Sequence, residues 1–297
     1  MLSAPDAQDL TALLAGTPYR ALARMASGGM AEVFEVEHEL LGRRFAAKVL
    51  HAKLAGDAGF VERMRLESQA LARLRNPHIV EVTDFCLSST GRPCLIMEKL
   101  RGRTLARELG ERGRLPVGEC FTLFEQLLSA LAAAHRMGVV HRDLKPDNLF
   151  LHEGVDGKRR LKVLDFGFAR VLPTAPTRAP LPSSIPTATG RVVGSPGYVS
   201  PEALTGQAVD HRADLYAAGI LLFLVVTGHG PFDHLTIEQT LSHAAAPPSR
   251  FRDEGGVRAL DDVVLRALKK RPEDRFQTAA EFAAALSAVQ HGVASGL

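Results

Sequence analysis

The hydrophobic period of this chain changes near residue 100, and that change constrains the fold more than any other feature. Before it, short stretches alternate like sheet: RALARMASGG, MAEVFEVEHE and RRFAAKVL read as three strands, turning at Ser27-Gly28-Gly29 and at Leu41-Gly42. A helix over roughly Phe60–Leu74 follows, with Met64, Glu67, Leu71 and Leu74 on one face, and Asn76-Pro77 ends it. Two more strands are expected around Ile79–Leu87 and Pro93–Met97. Beyond a connector at Glu98–Arg103 the pattern turns helical. FTLFEQLLSALAAAHRMG places Phe121, Phe124, Leu128 and Leu131 on one face and closes at Gly138. Asn148–His152 and Leu161–Leu164 read as a hairpin turning near Asp156-Gly157, and from Pro201 onward helix dominates. The reading is an α+β chain with a small β-rich lobe and a larger helical one. Pro173–Gly190 stands apart, with five prolines and no apolar period, as expected of a loop.

Composition removes several function classes. The chain has 297 residues, 36 basic against 33 acidic, giving a formal charge of +3, too even for a dedicated nucleic-acid binder. Trp is absent and Tyr occurs three times, so no aromatic platform for bases is in view. Cys86, Cys94 and Cys120 lack the close spacing of a zinc site or disulfide framework and read as thiols in a reducing compartment. The start, MLSAPDAQDLTALLAG, lacks a basic region ahead of an apolar stretch. The most apolar run, Ala217–Val226, has roughly half the length of a membrane span. A soluble, cytoplasmic chain without a membrane segment is the expectation.

The chemistry is concentrated in a few strings. HRDLKPDN occupies His141–Asn148, DFG Asp165–Gly167 and SPE Ser200–Glu202, with Lys48 and a glycine turn upstream. Lys48 lies in the strand-like FAAKVL, and Glu67 lies on the apolar face of the helix that follows. A carboxylate there requires an internal partner or a hydrated pocket, and Lys48 is the obvious candidate for a partner. In this order the strings resemble the signature set of eukaryotic-type protein kinases over about Tyr19–Leu286, and GGMAEVF and GSPGYVSPE are most similar to the bacterial serine/threonine members.

That resemblance implies a bilobal kinase fold: a five-stranded antiparallel N-terminal sheet with one helix, then a larger, mainly helical C-terminal lobe. The expected divisions are an extension at 1–18, lobes at 19–98 and 99–290, and a tail at 291–297. It implies ATP and Mg2+ as cofactors, with Mn2+ as an alternative ion. Asp143 would be the catalytic base and Lys145 would reach the γ-phosphate, while Asn148 and Asp165 would bind the metal. Lys48, paired with Glu67, would hold the α- and β-phosphates. Ala26, Ser27, Gly28 and Gly29 would form the phosphate-covering loop; Ala26 and Ala31 replace the family's outer glycines, and only Gly28 matches the middle one. Val33 and Ala46 would cover the adenine from one side and Phe150 and Leu100 from the other. Met97 would be the gatekeeper, and backbone groups of Glu98–Leu100 would bind the adenine edge.

Substrate class and regulation are implied in the same way. Lys145 stands where serine/threonine kinases carry lysine, and Ser195 keeps the hydroxyl that bridges Asp143 and Lys145 in that branch. Glu202 would pair with Arg275, and Asp214 would hold the turn containing Arg142. Arg142 before Asp143 goes with control by loop phosphorylation, for which Thr187 or Thr189 is the expected site. The expected partners are proteins with Ser or Thr acceptors and a second copy of the chain, in a transient homodimer that phosphorylates itself in trans. Two other readings stand beside this one. A silent scaffold is favoured only by Ala26 and Ala31, since Lys48, Asp143, Asn148 and Asp165 are intact. A small-molecule kinase fits poorly with GSPGYVSPE, which resembles a peptide-docking segment.

Overall fold

A computed structural model describes residues 13–29, 31–56, 58–166, 196–233 and 260–294. The chain separates into two compact units: Met1–Arg75 with Ile79–Arg101, and Asn76–His78 with Gly102–Leu297.

The first unit is built on five antiparallel strands, β1 (Tyr19–Ser27), β2 (Ala31–His38), β3 (Arg44–Leu50), β4 (Val82–Leu87) and β5 (Pro93–Glu98), in the order β1-β2-β3-β5-β4. Register pairs Val33 with Lys48, Lys48 with Leu95 and Ala46 with Met97. Directly opposed residues point to the same side, so Val33, Ala46, Lys48, Leu95 and Met97 share one face of the sheet. The other face carries Phe34, Val36, Phe45, Ala47, Val49, Cys94 and Ile96 in an apolar cluster, closed by Leu14 and Tyr19 from the start of the chain. The Ser89 N–H donates to the Ala15 carbonyl at 2.6 Å and fastens that starting segment to the β4–β5 connection. Helices α1 (Ala52–Ala55) and α2 (Ala58–Ala72) follow β3. Met64 and Leu71 of α2 and Leu74 beyond it are buried, and Ser68 satisfies its buried hydroxyl on the Met64 carbonyl at 2.7 Å.

The second unit centres on helices α3 (Leu105–Arg112), α4 (Val117–Arg136), α5 (Pro201–Leu204), α6 (Arg212–Thr227), α7 (Asp261–Ala267) and α8 (Ala279–Ala294). Helix α6 is buried on nearly every side, thirteen of its sixteen residues being inaccessible, so it is the core about which the unit is built. Gly219 lets α7 approach it: a Cβ there would sit 2.7 Å from that of Ala267. Helix α4 is long and apolar enough, by length and composition, to cross a membrane. Ten of its twenty residues are buried and it packs on α8, as a core helix does.

A three-stranded sheet, β6 (Gly102–Thr104), β7 (Leu149–Glu153) and β8 (Arg159–Val163), lies in the same unit. The sequence reading anticipated β7 and β8 but put the start of β6 in the connector at Glu98–Arg103, assigned no element to α3 and started α4 four residues late. Three residues of strand give no alternation to detect. What fixes β6 is Gly102, whose φ of +125° and approach to the Leu151 carbonyl leave no room for a Cβ. Thr104 then caps α3 by accepting the Arg107 N–H at 3.3 Å.

Candidate active site

The segment between α4 and β7 holds the candidate catalytic residues, and a buried aspartate from α6 shapes it. Asp214 is 1% exposed. Its Oδ2 accepts the His141 N–H at 2.8 Å and its Oδ1 accepts the Arg142 N–H at 2.9 Å. His135, on the last turn of α4, reaches Oδ2 through Nε2 at 2.8 Å. Burial pushes the Asp214 carboxyl up, but the His135 hydrogen bond, the electrostatic influence of His141 and His135 and the His141 N–H together hold it below its ordinary value. An ionised carboxylate only accepts, so His135 Nε2 carries the donated proton. These bonds hold Arg142 in the left-handed region at φ +65°, a conformation worth about 1–3 kcal/mol of strain for a residue with a Cβ.

His141 links that turn to the DFG string. It is fully buried; its Nε2 donates to the Leu164 carbonyl at 2.8 Å and its Nδ1 accepts the Asp143 N–H at 3.3 Å, which fixes one tautomer. Its ring centroid lies 4.7 Å from that of Phe166, also buried. The Leu164 N–H in turn donates to the Asn148 carbonyl at 2.8 Å. Asp165 follows directly, itself at a positive φ of +52°. His141 and Asn148 thus anchor the backbone on which Asp165 sits.

Asp143 is the half-exposed member, its side chain 52% accessible. Lys145 Nζ donates to both of its carboxylate oxygens, at 2.9 and 3.2 Å. Asn148 Nδ2 donates to the Asp143 carbonyl at 2.7 Å and to its Oδ2 at 3.1 Å. The amide nitrogen of Asn148 is committed to Asp143, so its oxygen is the end turned toward other partners. Phe150 lies on β7, opposite Thr104 and Lys162, and is partly buried.

The first unit contributes a separate group of candidates. Ala26 pairs with Val33 and Ser27 with Glu32, and the Gly28 N–H closes the turn on the Ala31 carbonyl at 2.9 Å. His51 Nε2 lies 2.8 Å from the Gly28 carbonyl and ties the turn to the end of β3. A Cβ on Gly29 would meet nothing within 4 Å. Glu98 is fixed at the end of β5 by exchanging bonds with Glu81, N–H to carbonyl and N–H to carboxylate, both 2.9 Å. Lys48 and Leu100 are partly buried, and Met97 is buried. The side chain of Glu67 and the residues Thr187, Thr189 and Ser195 lie outside the described residues, as does the Pro173–Gly190 segment.

Comparison with known proteins identifies the arrangement. Residues 19–287 match the family described as the protein kinase domain. Serine/threonine-protein kinase Pkn1 of Myxococcus xanthus is 39% identical over 95% of this chain and 39% of its own length. Serine/threonine-protein kinase PknL of Mycobacterium tuberculosis is 35% identical over 99% of this chain and 71% of its own. The chain belongs to the eukaryotic-type serine/threonine protein kinase family. The crystal structure of the Mycobacterium tuberculosis PknI kinase domain matches it with a TM-score of 0.72 and 29% identity, covering 94% of this chain and 99% of that one. The chain spans between 33% and 52% of the length of three Myxococcus xanthus kinases that it matches. The bilobal kinase fold therefore rests on both sequence and structure, and membership of the serine/threonine family on the sequence relatives.

Two charge clusters support this kinase fold from a distance. Arg275, 1% exposed, forms a two-pronged pair with Glu202 at 2.6 and 2.8 Å. Its remaining donors go to the carbonyls of Lys269, Lys270 and Arg212, and it lies over the Tyr216 ring. Burial raises the Glu202 carboxyl, but the Arg275 bonds and charge overcome it and the net shift is downward. The second cluster escaped the sequence reading. Glu108 of α3 is buried and accepts two bonds from Arg159 of β8, at 2.9 and 3.1 Å, and one from Arg112 at 3.1 Å. Chiefly through Arg159, its carboxyl falls to about 2. The i, i+4 spacing of Glu108 and Arg112 was the only available signal; Arg159 arrives through the β-sheet. His135 was missed as well, being one of several polar residues on an apolar helix.

Proposed function

We propose that this kinase domain transfers the γ-phosphoryl group of ATP to Ser or Thr hydroxyls of proteins, with Asp143 as catalytic base. One observation carries the reading: the Asp143 carboxylate is half-exposed yet held by Lys145 and Asn148, on a turn locked by Asp214. A phosphoryl transfer needs positioning and charge neutralisation more than covalent help. Asp143 aligns the acceptor hydroxyl and takes its proton as the oxygen attacks phosphorus. Lys145, already beside Asp143, offers its ammonium to the transferring group.

Asn148 and Asp165 offer an amide and a carboxylate oxygen, a donor set suited to hard Mg2+ and equally to Mn2+. Among the described residues no group of three or more His, Cys, Asp or Glu could hold a metal. That fits an ion bound by two protein groups and completed by phosphate and water. When bound, the ion neutralises phosphate charge. Lys48, oriented by Glu67, is assigned to the α- and β-phosphates, and the backbone of Ala26–Gly29 to covering them. Val33, Ala46, Met97, Leu100 and Phe150 are assigned to the adenine ring, with backbone groups of Glu98–Leu100 at its edge. Thr187 or Thr189, phosphorylated by a second copy of the chain, is assigned as the activating site, with Arg142 as its cationic partner.

The test is incubation with labelled ATP and magnesium beside Asp143→Asn, followed by phosphosite mapping. Wild-type labelling on Ser or Thr, lost in the variant, is expected. Nucleotide binding without transfer to self or to a generic basic substrate would instead support the silent scaffold.

A further inference from the structure

Cys86 and Cys94 have no part in the phosphotransfer site, and they face each other directly. They are registered partners on β4 and β5, and β4 is the edge of its sheet. Opposed residues in an antiparallel pair stand about 4.5–5.5 Å apart at Cα, inside the range of about 4.4–6.8 Å that a disulfide spans. Both side chains point to the same face: Cys94 is a fully buried member of the apolar cluster, and Cys86 packs against that cluster while partly exposed. The register therefore brings the pair within the reach of a disulfide.

We propose that Cys86 and Cys94 form a reversible cross-strand disulfide under hydrogen peroxide, a modification site on the sheet face opposite Lys48 and Met97. Peroxide reaches the partly exposed Cys86, transfers one oxygen to its sulfur and leaves as water, giving a sulfenic acid. Cys94 attacks that sulfur; the S–S bond forms, and the oxygen leaves with the remaining thiol proton as a second water. Two thiols are oxidised by two electrons and one peroxide is reduced to two waters. The hydrogen bond from Cys86, with the Arg92 charge and the Ser88 N–H, lowers the Cys94 thiol against the opposing effect of burial, as suits the attacking sulfur. The same bond and burial push the Cys86 thiol up, and its partial exposure is what admits the peroxide. Cys120 is buried in α4, apart from this pair, and its lack of exposure makes it an internal control.

The bond would staple the hairpin whose second strand runs into Met97 and Glu98, on the sheet face opposite the one that Met97 shares with Lys48. Its test uses no phosphotransfer, so it stands or falls apart from the functional reading. The folded chain is treated with hydrogen peroxide, quenched by alkylation, and its intact mass and non-reduced peptides are measured. The expected result is loss of two hydrogens, a peptide linking Cys86 to Cys94, alkylated Cys120, and return of all three thiols after reduction. Cys86→Ser leaves Cys94 as a thiol, and Cys94→Ala leaves Cys86 to gain oxygens without a link; the partly exposed Cys86 position guards against a variant that merely misfolds. Three surviving thiols, oxygen addition at Cys86 in the wild type, or a link through Cys120 or between copies overturns the proposal.

Discussion

Asp143 already receives Lys145 and Asn148, so its carboxylate is oriented before an acceptor arrives. Replacing it with Asn keeps the shape and removes the proposed base. We expect kcat to fall about 10²–10⁴-fold, the ordinary worth of a general base, with ATP affinity unchanged by nucleotide titration. An unchanged kcat would remove Asp143 from that role. Glu108 tests electrostatics far from the chemistry. Its folded-state value of about 2 lies below the ordinary 4.5, so the stability it contributes is complete above about 4.5 and lost as pH falls toward 2. Its partner Arg159 is 41% exposed, which dilutes the pairing with solvent. Glu108→Gln is therefore expected to cost about 1–2 kcal/mol in urea unfolding at neutral pH, and less as the solution is acidified through that window. A loss that stays constant from neutral pH to acid would contradict the ion-pair account.

Helix α6 places a single carboxylate where three donors converge, and the candidate turn depends on that placement more than on its own sequence. In Asp214→Asn the amide oxygen can serve one side, but its NH2 then faces an N–H donor. The turn at Arg142 loses support for its left-handed backbone. The expected outcome is a kcat loss larger than any rise in the KM for ATP, with about 1–3 kcal/mol of lost stability in chemical unfolding. Equal effects on both kinetic constants would point to general damage. Legibility in the sequence followed the same division between local and distant. The sheet of the first unit was readable because MAEVFEVEHE and RRFAAKVL alternate with period two over enough residues. Strand β6 was not, since its three residues are fixed by a glycine meeting Leu151 from β7. The string His141–Asn148 marked the candidate turn, but the bond from His135 to Asp214 joins residues 79 positions apart. The α4 pattern showed only an apolar helix. Glu108 and Arg159 were hidden for the same reason.

At the scale of the whole molecule the open matter is how one copy meets another. Thr187 and Thr189 follow Asp165 by 22 and 24 positions in the sequence. A span of that length can reach about 70 Å when extended, so tether length permits a hydroxyl to return to Asp143 of its own chain. The anchoring of its start argues for the other route. Leu164 is held on both sides, by His141 and by Asn148, and Asp165 follows it as a proposed metal ligand. In cis, one segment would have to serve as acceptor while its root completes the site acting on it. In trans, one copy keeps its site intact and the other supplies the segment. Self-phosphorylation is therefore expected to show a rate per molecule rising in proportion to protein concentration, with wild type labelling Asp143→Asn protein on Thr187 or Thr189. Joint replacement of both threonines by Ala is expected to leave a kinase that starts slowly and does not accelerate with time in ATP. A concentration-independent rate with an unlabelled Asp143→Asn partner would place the reaction within one chain, and full activity in the double Ala variant would move the activating site elsewhere.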